Sequence, residues 1–297
     1  MSASTQKTKE TVLITGFPSA LSTALCRELL DDHHENKSII LLTTPALEST
    51  AKSFRGTLAT KRKGRLSVLV GDSLTASLDL SGLALRQLLE RLTIIIHAEN
   101  ICDDAYQSKI TRLHQLLKLA RRAPKFKRFC LTSSITVNRS LERTISEEEL
   151  ATPNGDAPHS DLMAKTELII REVMAQIPCT VFRLSAMVGG FSDQNLSGLG
   201  RGVNATLANL VWSSSQLPML VPQIRHMPFN VVPLDYAVRA MSHLSAHPAS
   251  LNRTFHITDP NPMTMESAIA LFADLTNRQR PLFYGRLFEK SIRLLRQ

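Results

Sequence analysis

The chain has 297 residues, 43% hydrophobic and 21% charged, proportions ordinary for a globular protein, and it contains no apolar run long enough for a membrane span. A formal net charge of +9 admits an anionic partner, but 5% aromatic residues and the lack of a recognisable nucleic-acid motif make a dedicated nucleic-acid binder an unlikely class. The opening MSASTQKTKE is polar without a secretory pattern, which predicts a cytoplasmic protein.

In chain order, TVLITG (11–16) is a short apolar run closed by glycine, the pattern of a buried parallel strand. SALSTALCRELLDD follows with leucines at helical spacing. SIILLTT (38–44), LSVLVGD (66–72) and LTIIIHAE (92–99) predict three more buried strands. RLHQLLKLARRA reads as a helix, KRFCLTSS (127–134) as a strand, DLMAKTELIIREVMAQ as a helix and CTVFRLS (179–185) as a sixth strand. Apolar strands alternating with helices predict an α/β fold, a doubly wound parallel sheet of Rossmann-like form. The basic clusters KRKGR (61–65) and RRAPKFKR (121–128) stand just before predicted strands, where solvated loops usually carry charge. Cys26, Cys102, Cys130 and Cys179 are scattered without a CxxC pair, which predicts buried reduced thiols and no metal site.

Beyond about residue 190 the texture changes. GGFSDQNLSGLGRGVN predicts a loop and ATLANLVWSSSQLPML a helix. FNVVPLDYAVRAMSHLSAHP predicts a short strand leading into a helix, with Asp235 near its start, and RTFHITDPNPMTMESAIALFADLTN repeats that form. The expected organisation is a domain over 1–190 and a smaller α+β lobe over 191–297, interleaved with it and packed over the carboxyl edge of the sheet.

With these segments in order, the stretches VLITGFPSALSTALCREL, VLVGD, IIIHAEN, RFCLTSS, MAKTELIIRE, VFRLSAMVGG, FNVVPLDYAVRAM and RTFHITDPNPMTM resemble an extended short-chain dehydrogenase/reductase. The nearest branch contains thioester reductase domains and male-sterility type fatty acyl reductases. The resemblance implies an NAD or NADP cofactor, with the choice between them open. In the family's glycine-rich loop, Thr15 and Gly16 are kept, while Ser19 and Ser22 take the second and third glycine places. The resemblance sets the pyrophosphate against Ser19, Ala20 and Leu21 at a helix N-terminus. Ser19 is expected to be strained if its place requires positive φ, and Pro18 stiffens the loop. Thr43 and Thr44 end the second strand where an acidic residue or arginine would choose between the cofactors. Further along, the resemblance puts Asp72 and Ser73 near the adenine, His97 and Ala98 along the cofactor wall with Glu99 in place of an alanine, and Ser185 after the sixth strand.

For catalysis the resemblance implies a serine, a tyrosine, a lysine and often an asparagine around a carbonyl undergoing hydride transfer. Ser134 fits the serine, with Ser133 as the alternative, and Lys165 fits the lysine and the ribose contact. Asp161 stands four residues before Lys165, in the tyrosine position, and the two are expected to pair on one helix face. Beside a lysine, an aspartate holds no proton at neutral pH. His159 is the nearby titratable group, and it is expected to reach the site only with an unusual backbone shift. Lys109 and Arg112 occupy the asparagine and glycine positions, and Arg183-Leu184 replaces Arg-Pro. The expected function is a catalytically impaired, NAD(P)-binding protein that holds a small-molecule ligand or a protein partner. The alternatives are an active reductase of a thioester or carbonyl compound, and a nucleic-acid- or anion-binding protein on the same scaffold.

Overall fold

A computed structural model describes residues 9–31, 36–99, 106–138, 145–189, 220–222, 226–275, 277 and 282–284. The loop and helix expected between 190 and 219, and Cys102, lie outside the described residues. The chain divides into two compact units, one of residues 1–140, 144–184 and 234–257, the other of 141–143, 185–233 and 258–297.

The first unit is built on seven strands: β1 (Glu10–Thr15), β2 (Lys37–Thr43), β3 (Leu66–Val70), β4 (Ile94–His97), β5 (Arg128–Ser134), β6 (Cys179–Leu184) and β11 (Arg253–Ile257). They lie in the order β11-β6-β5-β4-β1-β2-β3, and all six adjacent pairs are parallel. Parallel strands have both faces covered, which explains why β1, β2 and β4 read as continuous Val/Ile/Leu runs rather than alternating ones. The order reverses between β1 and β4, so their carboxyl ends flank the crevice where such sheets hold ligands.

Between the strands run α1 (Ala20–Leu29), α2 (Glu48–Gly56), α3 (Thr60–Arg65), α4 (Gly82–Arg91), α5 (Tyr106–Arg122) and α6 (Pro158–Val173), with α7 (Leu234–Ala246) before β11. One sheet face, with Leu13, Ile40, Ile95, Phe129, Leu131 and Val181, packs on Leu88 of α4, Leu113 and Leu117 of α5, and Ile170 of α6. On the other face α1 lies against α7. Both α5 and α6 return the chain from one parallel strand to the next, so each begins at the carboxyl edge of the sheet.

Two expectations change. The stretch RTFHI, expected in the C-terminal lobe, is β11, paired residue for residue with β6 from Arg253↔Thr180 to Ile257↔Leu184. KRKGR is α3 rather than a loop. Much of the basic charge near the amino edge is engaged. Arg62 meets Asp31 at 2.6 Å and Lys127 meets Glu10 at 3.1 Å. The buried Arg128 guanidinium donates to Leu244 O and Ser250 Oγ, both at 2.5 Å, and to His247 O at 2.8 Å.

The second unit holds three two-stranded pairings, of β7 (Ala186–Val188) with β10 (Val231–Pro233), β8 (Leu220–Pro222) with β13 (Leu282–Tyr284), and β9 (Pro228–Phe229) with β12 (Met263–Thr264). Helix α8 (Met265–Leu275) follows β12. Among the described residues no helix is long and apolar enough to cross a membrane, and no group of three or more His, Cys, Asp or Glu side chains is placed to hold a metal. Cys26, Cys130 and Cys179 are buried and free, and burial pushes each thiol up to about 12.

Candidate functional site

The loop joining β1 to α1 turns on Gly16, at φ +91°, where an added Cβ would lie 2.1 Å from the Ala98 carbonyl oxygen. Only glycine lets the β1 and β4 ends approach so closely. Ser19 is not strained. It caps α1 at φ −57°, ψ 152°, an ordinary conformation for any residue. Its Oγ accepts from Ser22 N at 3.1 Å, and Ser22 Oγ lies 3.1 Å from Gly16 O and 3.0 Å from Ser19 O. The two serines thus fasten the loop internally. Ala20 and Leu21 supply the remaining first-turn amides, facing out of the helix end as such amides must.

Along the same edge, Thr43 closes β2 with a buried hydroxyl that has no hydrogen-bond partner. Asp72 Oδ1 accepts from Leu74 N at 2.8 Å, fixing its own turn, and Ser73 beside it is buried. Ser185 falls in the second unit, its hydroxyl donating to Ala186 O at 3.4 Å.

His97 ends β4 and is buried. Its Nδ1 and Thr15 Oγ1 share a hydrogen bond of 2.7 Å, its Nε2 lies 3.8 Å from Glu99 Oε2, and Glu99 Oε1 lies 3.4 Å from Arg112. His97, Glu99, Lys109, Leu131, Thr132, Met163 and Thr166 surround a small cavity of about 20 Å³, room for one water molecule among polar partners. Burial lowers the His97 pKa, against the opposing pull of Glu99. The unfolded chain therefore takes up a proton near the ordinary 6.5 while the folded chain does not. Stability from this residue is complete above that pH and is lost as pH falls toward the lower folded value, with a slope of at most about 1.4 kcal/mol per pH unit. Urea titrations between neutral and mildly acid pH should show this decline, and His97→Gln should flatten it; an equally steep decline in the variant would exclude His97 as its source.

At the end of β5, Ser134 Oγ lies 2.9 Å from Thr136 Oγ1 and accepts from Thr136 N at 3.2 Å. Ser133 points the other way: fully buried, it donates to Glu167 Oε1 at 2.5 Å. Of the two serines, Ser134 is therefore the one at the edge.

Successive residues of α6 turn by about 100°. Met163, Thr166, Glu167 and Ile170 are buried and lie within about 60° of one direction, while Asp161, Leu162 and Ala164 are buried around the rest of the first two turns. Met163 lines the cavity and packs with Val137, just beyond β5. Asp161 and Lys165 lie about 160° around the helix from Met163, and Lys165 is exposed with Leu168 and Glu172. Asp161 is buried differently. Its carboxylate accepts Gly155 N at 2.8 Å and Asn154 N at 3.3 Å, fastening the segment before α6. His159, one turn before Met163, is exposed.

Residues 14–241 match the male sterility protein family of NAD-binding domains. The chain belongs to that family. Among solved structures it is similar to the terminal R domain of the myxalamid PKS-NRPS pathway, with 20% identity and TM-score 0.73 over 94% of this chain and 72% of that one. It is similar also to the reductase domain of a nonribosomal peptide synthetase from Mycobacterium tuberculosis (17%, TM-score 0.72, 96% and 75%). A third is the dTDP-glucose 4,6-dehydratase of Streptomyces venezuelae with NAD bound (16%, TM-score 0.69, 93% and 84%). At these identities the likeness establishes the fold. No curated protein matches the chain in sequence.

Within this male sterility scaffold, Thr15, Gly16, Ser19, Ala20, Leu21, Asp72, Ser73, His97 and Ala98 are gathered at the carboxyl edge of β1, β3 and β4. Ser134 ends β5 on the same edge, and Lys109, in the first turn of α5, is buried beside the cavity. Asp161 and Lys165 stand in the first two turns of α6, Asp161 buried and Lys165 exposed. Sequence reasoning overlooked Met163 and Thr166, although both fall on the helical stripe continued by Ile170.

Proposed function

We propose that this chain binds a nicotinamide dinucleotide along the carboxyl edge of its first unit and is impaired in tyrosine–lysine carbonyl chemistry, serving to hold a small ligand or a protein partner. The observation that carries the reading is Asp161, which stands four residues before Lys165 and whose carboxylate accepts the amides of Asn154 and Gly155. Two features support the dinucleotide: the Gly16 turn, which a Cβ would fill, and the buried, unpartnered Thr43 hydroxyl at the end of β2. Thr15, Gly16, Ser19, Ala20 and Leu21 would hold the pyrophosphate, Thr43 and Asp72 the adenosine, and His97 with Ala98 the wall between. When bound, such a cofactor supplies a hydride or accepts one. A cytoplasmic location belongs to the same reading and rests on the three buried free thiols.

Titration with NADH and NADPH, followed by fluorescence and thermal shift, tests this. Micromolar binding of either is expected, with little oxidation of the reduced cofactor on adding an acyl thioester or aldehyde. Absence of binding at millimolar cofactor would overturn the dinucleotide reading. Rapid turnover would favour a second reading, a working oxidoreductase with another proton-transfer group.

A further inference from the structure

We propose that His256 is a pH-sensitive latch: as a neutral ring it holds the segment 146–151 closed through Arg183, and on taking a proton it lets that segment open. Its action requires no bound dinucleotide. The segment leads into the approach to α6 and is strapped to the first unit by hydrogen bonds. Asn138 Nδ2 donates to Glu149 O at 3.1 Å, and Asn138 Oδ1 accepts from Ala151 N at 2.7 Å. Arg183 donates to Glu149 O at 2.6 Å, and Glu147 Oε1 accepts from the His256 amide at 2.7 Å. Between these anchors Leu150 packs on the cluster of Val137, Leu162 and Met163. Met163 also lines the cavity, so the strap supports a residue of the cavity wall.

The His256 ring ends this chain of contacts, with Nε2 at 3.1 Å from Arg183 Nη1. A guanidinium only donates, so Nε2 must accept, and the ring is the neutral tautomer with its proton on Nδ1. A second proton can go only to Nε2. It removes the lone pair to which Arg183 donates and sets an imidazolium against a guanidinium. Arg183 is fully buried, where a donor left without an acceptor is costly, and the same guanidinium holds Glu149 O. Facing the ring are Glu147 and Glu148 from the strap, Arg183 from β6 and Glu167 from α6. Arg253 of β11 and Arg171 of α6 act on Glu148. Glu167 is committed to Arg183 and Ser133, and Glu147 to the His256 amide. Burial first, and Arg183 second, hold the His256 pKa below its ordinary 6.5 against the pull of the three carboxylates. An open strap relaxes both restraints. The closed form is therefore fully favoured above the ordinary value and loses ground as pH falls toward the lower closed-state value, by at most about tenfold in population per pH unit for one proton.

The test is hydrogen exchange of the full chain, followed by NMR from neutral to mildly acid pH, with each rate corrected for the intrinsic effect of pH. The Ala151 and His256 amides report the strap, and those of Ile95 and Ile96 in β4 report the sheet. Protection of the strap amides is expected to fall by up to about tenfold per pH unit below the ordinary histidine range, with the sheet amides better protected throughout. In His256→Gln, whose side-chain oxygen can accept from Arg183 without titrating, the strap should keep its protection; an unaltered decline overturns the proposal. Strap amides that exchange at the rate of the sheet amides at every pH would mark global unfolding and overturn it too. The ring gives a further measurement in the parent chain. Its ¹⁵N shifts should show Nδ1 protonated and Nε2 bare at neutral pH, and the opposite tautomer excludes the latch.

Discussion

Introducing tyrosine and lysine one turn apart at the start of α6, by His159→Tyr together with Met163→Lys, is expected to raise NADPH-dependent aldehyde reduction by about 10²–10⁴-fold over the parent chain, the usual worth of a positioned proton donor. Asp161→Tyr, which completes the same Tyr-x-x-x-Lys spacing with Lys165, is expected to raise it not at all. The difference is one of direction. Met163 lines the cavity with His97 and Leu131, whereas positions 161 and 165 lie about 160° away from it around the helix. Met163 is 4% exposed and beside a cavity, and the unbranched stem of a lysine can follow the path of methionine while its ammonium reaches the edge. Asp161→Tyr also removes the acceptor of two backbone amides, costing about 1.5–3 kcal/mol for each charge-assisted bond. Thermal midpoints measured beside the rates separate a misplaced hydroxyl from a poorly folded protein. Gain of reduction in folded Asp161→Tyr, without gain in the double variant, would reverse the assignment of the two faces.

The sheet was legible because each parallel strand is buried on both sides and therefore spells out its position in apolar residues. The six strands expected up to residue 185 are β1 to β6, to within a residue or two. β11 was legible as a strand but not as part of this sheet, since RTFHI does not say which edge it will join. Helices α2 and α3 were harder to read. α2 buries little beyond Ala51 and Phe54, and no residue of α3 is buried, so neither carries a strong apolar stripe. At the site, the loop and the His97 position followed from order along the chain. The setting of α6 did not. A spacing of four is met equally by 159/163 and 161/165, and Lys165 is what draws the reading to the second pair. The stripe Met163–Thr166–Ile170 was the physical signal, but Glu167 within it reads as a solvent residue until its partner is known. Nor does a sequence state φ, so Ser19 read as strained where it is an ordinary cap.

That partner is Arg183 on β6, and breaking the pair should be the most destabilising polar change in the first unit. Both side chains are fully buried. Arg183 Nε lies 3.1 Å from both Glu167 oxygens, and its NH2 reaches Oε2 at 2.8 Å and Glu149 O at 2.6 Å. Ser133 and His256 complete the group, at 2.5 Å from Glu167 Oε1 and 3.1 Å from Arg183 NH1. Glu167→Ala or Arg183→Ala alone leaves a buried charge unmatched and is expected to cost about 3–5 kcal/mol, read as a lowered urea midpoint. Glu167→Met with Arg183→Leu removes both charges, and its loss should be far smaller than the sum of the single losses, since such pairs are strongly coupled. Additive losses would show that packing rather than charge dominates. The pair has a second consequence. Glu167 lies one turn beyond Met163 on the inner face, so its bonds to β6 fix the rotation of α6 about its own axis. Restoring stability with the apolar pair should therefore leave α6 in place only if packing of Met163 and Ile170 suffices. The NMR signals of the Met163 and Ile170 methyl groups report which holds: they stay in place where the helix keeps its seat and move where it has rotated.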